Sequence, residues 1–162
     1  MARVKITLEP AGPVFLDLPI PGSKSLTNRA LICAALTRGM TRLTRASFSD
    51  DSRALSNALN LLGIPVVPLE RESAIVVHSG NARDSSGHFQ MGNAGTATRF
   101  FASFLCTGRG NFILDGDERM RERPIGGLVD ALRSLGADIR YTMKEGCPPL
   151  DIRSAGLRGG KC

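Results

Sequence analysis

The residue pattern predicts an α/β (α+β) fold assembled from repeated βαβαββ units, with parallel and antiparallel strand pairings mixed. Three observations predict it. The first is an internal repeat: Ser56 to Ile64 (SNALNLLGI) and Val129 to Ala137 (VDALRSLGA) share an AL-x-x-LG core, shifted by 73 positions from Ala58 to Ala131. The second is a matching stretch upstream, where Arg29 to Thr37 (RALICAALT) aligns with Arg99 to Thr107 (RFFASFLCT) at an offset of 70. The third is that helical and strand-like periodicities follow one another in the same order around both matches.

In the first copy, a Pro-Gly-Ser turn opens a largely apolar helix from Ser25 to Leu36, which closes near Gly39. Thr41 to Thr44 forms a short strand. Asp50 or Asp51 caps a second helix whose apolar residues, Ala54, Leu55, Ala58, Leu59 and Leu62, have helical spacing, and Gly63 ends it. Ile64 to Leu69 and Ala74 to His78 then form a hairpin across a charged turn, Glu70 to Glu72. The second copy repeats the order. It has a helix over Gly95 to Leu105, a strand over Asn111 to Leu114 and a helix over Ile125 to Leu135. Strands over Ile139 to Met143 and Leu150 to Ile152 complete it. Each copy becomes βαβαββ when a strand before its first helix is counted. The Ser-, Gly-, Asn- and Asp-rich stretch from Ser79 to Gly87 reads as the linker. The resulting units run from 21 to 85 and from 86 to 153, followed by a frayed, Gly-rich tail from 154 to 162.

Composition narrows the function classes. At 162 residues, 42% of them hydrophobic, the chain can bury one real core. No apolar run reaches the length of a membrane span, and the N-terminus has no long apolar h-region, so neither a membrane protein nor a secretory leader is expected. Lys and Arg number 21 against 15 Asp and Glu, a net charge of +6, and the surplus is mostly Arg, the side chain suited to carboxylate and phosphate. With no Trp and one Tyr, the stacking platforms of single-strand binders are missing, and no nucleic-acid partner is expected. Cys33, Cys106, Cys147 and Cys162 form no CxxC pair, which suits reduced thiols in the cytoplasm. Cys33 and Cys106 read as small core residues. His78 and His88 have no ligand partners at metal spacing, so no metal site is expected.

Three constellations carry chemistry. In Pro21 to Arg29 (PGSKSLTNR), Gly22 permits a tight turn, Ser23 or Ser25 can cap the helix, and Lys24 adds a charge at a helix N-terminus, which already favours anions. Arg29 lies four residues after Ser25, on the same side of the helix. The stretch lacks the glycine pattern of a Walker P-loop. In Gly92 to Arg99 (GNAGTATR), Gly95 permits close backbone approach, Thr96 supplies a hydroxyl and Arg99 follows one turn on. In Asp115 to Gly126 (DGDERMRERPIG), three Arg alternate with acids before Pro124. At least one of them can point into a cleft, while Arg119 and Arg121 equally suit a self-neutralising loop.

PGSKSLTNRA, GNAGTATR and LDGDERMRERPIGGLVDALRSLGA, in this order and over nearly the whole chain, closely resemble the EPSP synthase (3-phosphoshikimate 1-carboxyvinyltransferase) family. That family has the enolpyruvyl transferase fold, six βαβαββ units in two domains, of which this chain would supply two. The resemblance implies transfer of the enolpyruvyl group of phosphoenolpyruvate to the 5-hydroxyl of shikimate 3-phosphate, with release of phosphate and no cofactor or metal. It implies that Lys24, a catalytic residue, contacts phosphoenolpyruvate, and that Ser25 and Arg29 bind shikimate 3-phosphate. Gly95, Asn93 and Thr96 would shape the phosphoenolpyruvate pocket, where glyphosate also competes, and Arg123 would bind phosphoenolpyruvate. Asp50 and Asp51 match an SDD segment that supports or caps, and Arg99 stands behind the pocket. Where many members have Pro after the motif Arg, this chain has Phe100, so glyphosate sensitivity does not transfer. The related UDP-N-acetylglucosamine enolpyruvyl transferase carries Lys-Asn in place of Lys24-Ser25 and a Cys in the loop before its Arg-Pro. Neither is present here.

The resemblance further implies that the remaining catalytic groups lie beyond Cys162, and that residues 1–20 pack in a domain absent from this chain. A strand near Ala2 and another over Phe15 to Leu18 would then lack their usual partner. The chain is accordingly expected to be inactive alone, and to self-associate or dock a complementing C-terminal fragment through exposed apolar faces. The alternative from a different class is a non-catalytic binding or scaffold module on the same fold.

Overall fold

The computed structural model describes residues 6–10, 12–80 and 85–162. The expected strand near Ala2 and the middle of the Ser79–Gly87 linker lie outside the described residues. The elements run α1 (Lys24–Leu36), β1 (Gly39–Thr44), α2 (Asp50–Leu61), β2 (Val66–Leu69), a 3-10 turn (Glu70–Glu72) and β3 (Ala74–Ser79). They continue with β4 (Gly87–Gln90), α3 (Gly95–Leu105), β5 (Arg109–Asp115), a 3-10 turn (Met120–Glu122), α4 (Gly126–Ser134), β6 (Asp138–Tyr141) and β7 (Leu150–Ala155).

Two sheets result, one ordered β1-β3-β2 and the other β4-β5-β7-β6. The triplet β5-β7-β6 reproduces β1-β3-β2, antiparallel at each junction. The correspondence extends to single bonds. Gly39 pairs with Ser79, and Gly110 with Ser154. The Ser79 hydroxyl donates to the Ala35 carbonyl at the end of α1, and the Ser154 hydroxyl to the Cys106 and Gly108 carbonyls after α3. The second sheet alone has an added parallel strand, β4 beside β5.

One continuous core joins the units. Helices α1, α2 and α3 pack on one another, and Leu31, Leu55, Leu59, Ala97 and Phe101 are buried among them. Beneath α3, Phe89 of β4 meets Phe101 edge-on at 5.0 Å and approaches Phe112 of β5 at 6.2 Å, a geometry that aromatic quadrupoles favour.

The structure departs from the sequence reading at several points. Ser49, not Asp50 or Asp51, caps α2, its hydroxyl accepting from the Ser52 N–H at 3.3 Å; a short hydroxyl closes this geometry at less strain than a carboxylate already inside the first turn. Cys33 is exposed, because α1 buries the face bearing Thr27, Asn28, Leu31, Ala34 and Ala35 and turns Leu26 and Cys33 outward. Phe15 to Leu18 forms no strand, and Phe15 is 94% exposed. The C-terminal segment is not wholly frayed: β7 runs to Ala155, Leu157 packs on the core, and the Arg158 N–H donates to the Leu135 carbonyl at 2.8 Å.

Burial divides the four thiols. Cys106 and Cys147 are buried, Cys33 and Cys162 exposed, and desolvation pushes the Cys106 thiol up to about 12. Iodoacetamide at neutral pH should therefore label two cysteines in the native chain and four after denaturation. Native labelling of Cys106, read by mass spectrometry, would contradict this packing.

Candidate functional site

Helices α1, α2 and α3 open on a single cleft. Its lining includes the first residue of each helix, Lys24, Asp50 and Gly95, together with Asp51, Asn93, Thr96 and Arg123, around a cavity of about 500 Å³. Three helix N-termini directed at one space sum their partial positive charges there. Ser23 caps α1 and Ser49 caps α2, but α3 has no side-chain cap. Its first turn consequently keeps backbone N–H groups available to an anion.

The charged side chains are placed by specific partners. Lys24 Nζ lies 3.3 Å from Asp51 Oδ2. Arg123 Nη1 donates to the Asn93 carbonyl at 3.3 Å. Arg99 donates from Nη1 to the Gly95 carbonyl at 2.8 Å and from Nη2 to the Pro124 carbonyl at 2.6 Å, tying the first turn of α3 to the loop that carries Arg123. A Cβ on Gly95 would stand 2.7 Å from Arg123 Nη1 and 3.1 Å from Arg99 Nη1, so a side chain there would push the guanidinium ends away from their present places.

Of the residues singled out from the sequence, Lys24, Asn93, Gly95, Thr96, Arg123, Asp50 and Asp51 come together in the cleft lining. Arg99 stands immediately behind it through its bonds to Gly95 and Pro124. Ser25 and Arg29 lie outside the lining. The Arg29 guanidinium sits 5.5 Å over the Phe100 ring, a cation–π contact between α1 and α3. Among the described residues, no three His, Cys, Asp or Glu side chains gather as metal ligands would, and no helix is long and apolar enough to cross a membrane.

Two features escaped the sequence reading. Arg121 grips the buried Asp115 with two bonds, Nε to Oδ1 at 2.9 Å and Nη2 to Oδ2 at 2.6 Å, and the Gly116 N–H and Gln90 amide donate to the same carboxylate. This clasp closes the loop that presents Arg123 to the cleft. The arginine alternation signalled such a loop without telling which acid takes which Arg. The second is Asn28, fully buried one turn after Lys24, with neither amide atom hydrogen-bonded.

Comparison with known proteins identifies the family. The family model described as EPSP synthase (3-phosphoshikimate 1-carboxyvinyltransferase) matches residues 8–162. The chain is 46% identical over 159 residues to a 3-phosphoshikimate 1-carboxyvinyltransferase of Photobacterium profundum and 48% identical over 159 residues to one of Tolumonas auensis; each match covers 96% of this chain and 37% of the relative. The chain thus spans little more than a third of the length of these relatives. Among solved structures, EPSP synthase from Acinetobacter baumannii superposes with a TM-score of 0.78 at 25% identity, over 85% of this chain and 32% of that one.

The Asp115–Arg121 clasp sets a pH dependence. Hydrogen bonding to Arg121 is the main cause holding the Asp115 carboxyl below the usual carboxylate range, against an opposing desolvation. A carboxyl depressed in the folded state stabilises the fold above its unfolded value of about 4 and loses that contribution as the pH falls through its folded value. Asp115→Asn should cost about 2 kcal/mol at pH 7 and flatten the acid limb below about pH 4, read by thermal unfolding at stepped pH. An unchanged acid limb would remove the clasp from the account.

Proposed function

The chain belongs to the EPSP synthase family, and from that premise we propose that its cleft is the phosphoenolpyruvate-binding face of an enolpyruvyl transferase. The observation that carries the reading is the meeting of three helix N-termini, one of them uncapped, with Lys24 and Arg123 across a single cavity. Phosphoenolpyruvate carries a phosphate and a carboxylate, and a site that binds both needs fixed cations and backbone donors rather than an apolar pocket.

In this reading the uncapped first turn of α3 and the Thr96 hydroxyl receive one anionic group, and Arg123, braced by Asn93, receives the other. Lys24 leaves Asp51 to contact the ligand, so the carboxylate acts as a placeholder that keeps the ammonium directed across the cleft. Ser25 and Arg29, outside the cleft on α1, form the side at which shikimate 3-phosphate is held, with Phe100 bracing Arg29. Transfer would join the 5-hydroxyl oxygen of shikimate 3-phosphate, as it gives up its proton, to the enol carbon while the methylene takes a proton to become a methyl group; the tetrahedral adduct would then lose a proton from that methyl group as the carbon–oxygen bond to phosphate breaks, restoring the enol double bond and releasing phosphate. Holding the two substrates in contact is the contribution of this part of the protein; the 162 residues bind without turning over. Glyphosate, as an anion of similar span, would occupy the same cleft.

Titration of the 15N-labelled chain with phosphoenolpyruvate should shift the amides of Lys24, of residues 93–97 and of Arg123. Lys24→Ala and Arg123→Ala should each weaken binding about tenfold, the loss of one charge-assisted contact. Arg29→Ala should spare phosphoenolpyruvate and weaken shikimate 3-phosphate. Absence of shifts at the start of α3, or steady turnover by the chain alone, would overturn the proposal.

A further inference from the structure

The last two strands of the units pair in the same register. Val66 lies opposite Val77 and Pro68 opposite Ile75 in the first sheet, as Ile139 lies opposite Ile152 and Tyr141 opposite Leu150 in the second. β2 and β6 thus correspond at the same offset of 73 that relates α2 to α4. Side-chain bonds keep this register. The Asn60 amide donates to the Val66 carbonyl at 3.2 Å, and Arg133, its counterpart, donates from Nε and Nη2 to the Ile139 carbonyl at 3.0 and 2.7 Å.

Within this shared frame one space is occupied differently. In the second unit Tyr141 is half-buried, on the face of β6 that also bears the buried Ile139. Its ring lies under the Arg133 guanidinium, 5.1 Å from the ring centroid. Its hydroxyl reaches the start of α4, where a Cβ on Gly126 would stand 3.7 Å away. In the first unit Pro68 takes the place of Tyr141, and Asn60 that of Arg133, so neither the ring nor its cover is encoded. Pro68 is exposed, and a cavity of about 140 Å³ opens beside it, between α2 and β2.

The size and lining of this cavity suit a ring rather than an ion. Its volume is close to the roughly 150 Å³ of an apolar cavity that takes up benzene. Val66 and Ile75, 4% and 2% exposed, give it an apolar floor. Phe48 adds an aromatic side chain for an incoming ring to pack on. The charge in the lining is already matched: Arg53 pairs with Glu70 at 2.8 Å, donates to the Phe48 carbonyl at 3.1 Å and lies 6.0 Å over the Phe48 ring. Asn60 is spent on both backbone groups of Val66. Ser56 and the exposed Asn57 contribute neutral polar groups at the rim.

We infer that this cavity is a binding site for a small neutral aromatic molecule, a phenol, whose ring takes the place that the Tyr141 ring holds in the second unit. Its hydroxyl points toward the first turns of α2, as that of Tyr141 points toward the start of α4. The inference stands on the repeat and on packing, not on the anion cleft, so this reading and that of phosphoenolpyruvate binding can fail separately.

The probe is phenol itself, titrated into the 15N-labelled 162-residue chain. The amides of Asn57, Asn60, Val66 and Val67 should shift saturably, with half-saturation at about 1 mM for a ligand this small, while those of residues 93–97 stay in place. Nuclear Overhauser contacts should join the phenol ring protons to the methyl groups of Val66 and Ile75. Cyclohexanol, alike in size but not flat, should bind about fivefold more weakly. Pro68→Tyr, which supplies the ring from within, should weaken phenol binding about tenfold or more and leave the phosphoenolpyruvate shifts unchanged. Shifts that do not saturate, contacts to other methyl groups, equal binding of cyclohexanol, or full binding by a folded Pro68→Tyr chain would each overturn the inference. All but the last are read on the unaltered chain.

Discussion

The site depends on a crossing of two backbone segments that is too tight for any side chain. In the first unit the turn before α1 runs against the loop after β1, where a Cβ on Gly22 would lie 2.0 Å from the Arg45 carbonyl oxygen. In the second unit the turn before α3 meets the loop after β5 in the same way, and a Cβ on Gly116 would lie 2.4 Å from the Gly92 carbonyl oxygen. Each crossing fixes where a helix begins. With α1 and α3 started at corresponding places in two packed units, and α2 set against both, their N-termini have one space to face. The positive character of the cleft thus follows from backbone placement first and from charged side chains second.

Side-chain bonding then refines what the backbone has placed. The loop after β5 is closed by Asp115 and Arg121, joined to α3 by Arg99, and only after both contacts does it offer Arg123 to the cleft. The three arginines around this loop therefore differ in what they hold. Arg99 and Arg121 spend donors on protein acceptors, while among the described residues Arg123 is held by one long bond, to the Asn93 carbonyl.

Much of this organisation was legible in the chain. The AL-x-x-LG match marks α2 and α4, because apolar residues at helical spacing ending in glycine have few other readings. Glycines 63 and 136 indeed carry the positive φ of a helix end. Seven of the ten candidate site residues meet in the cleft lining because they sit at helix starts or in the one loop facing those starts. Exposure around α1 was not legible, since that helix is apolar on nearly all sides and periodicity cannot say which side Cys33 faces. The pairing of Asp115 with Arg121 was hidden for a related reason: alternation along a loop fixes neither its path nor its partners. The strand β4 and its parallel pairing were only implied, as a four-residue strand leaves little periodic signal.

The Lys24–Asp51 pair governs how the cleft looks from a distance. An ammonium held 3.3 Å from a carboxylate is a dipole rather than a charge, and its field dies away faster than that of a lone cation, well within a Debye length of about 8 Å. The longer-range positive character of the cleft therefore comes from Arg123 and the three helix starts rather than from Lys24. In the proposed reading, Lys24 becomes available only to a ligand that displaces it from Asp51, so the pair acts at contact and not at a distance.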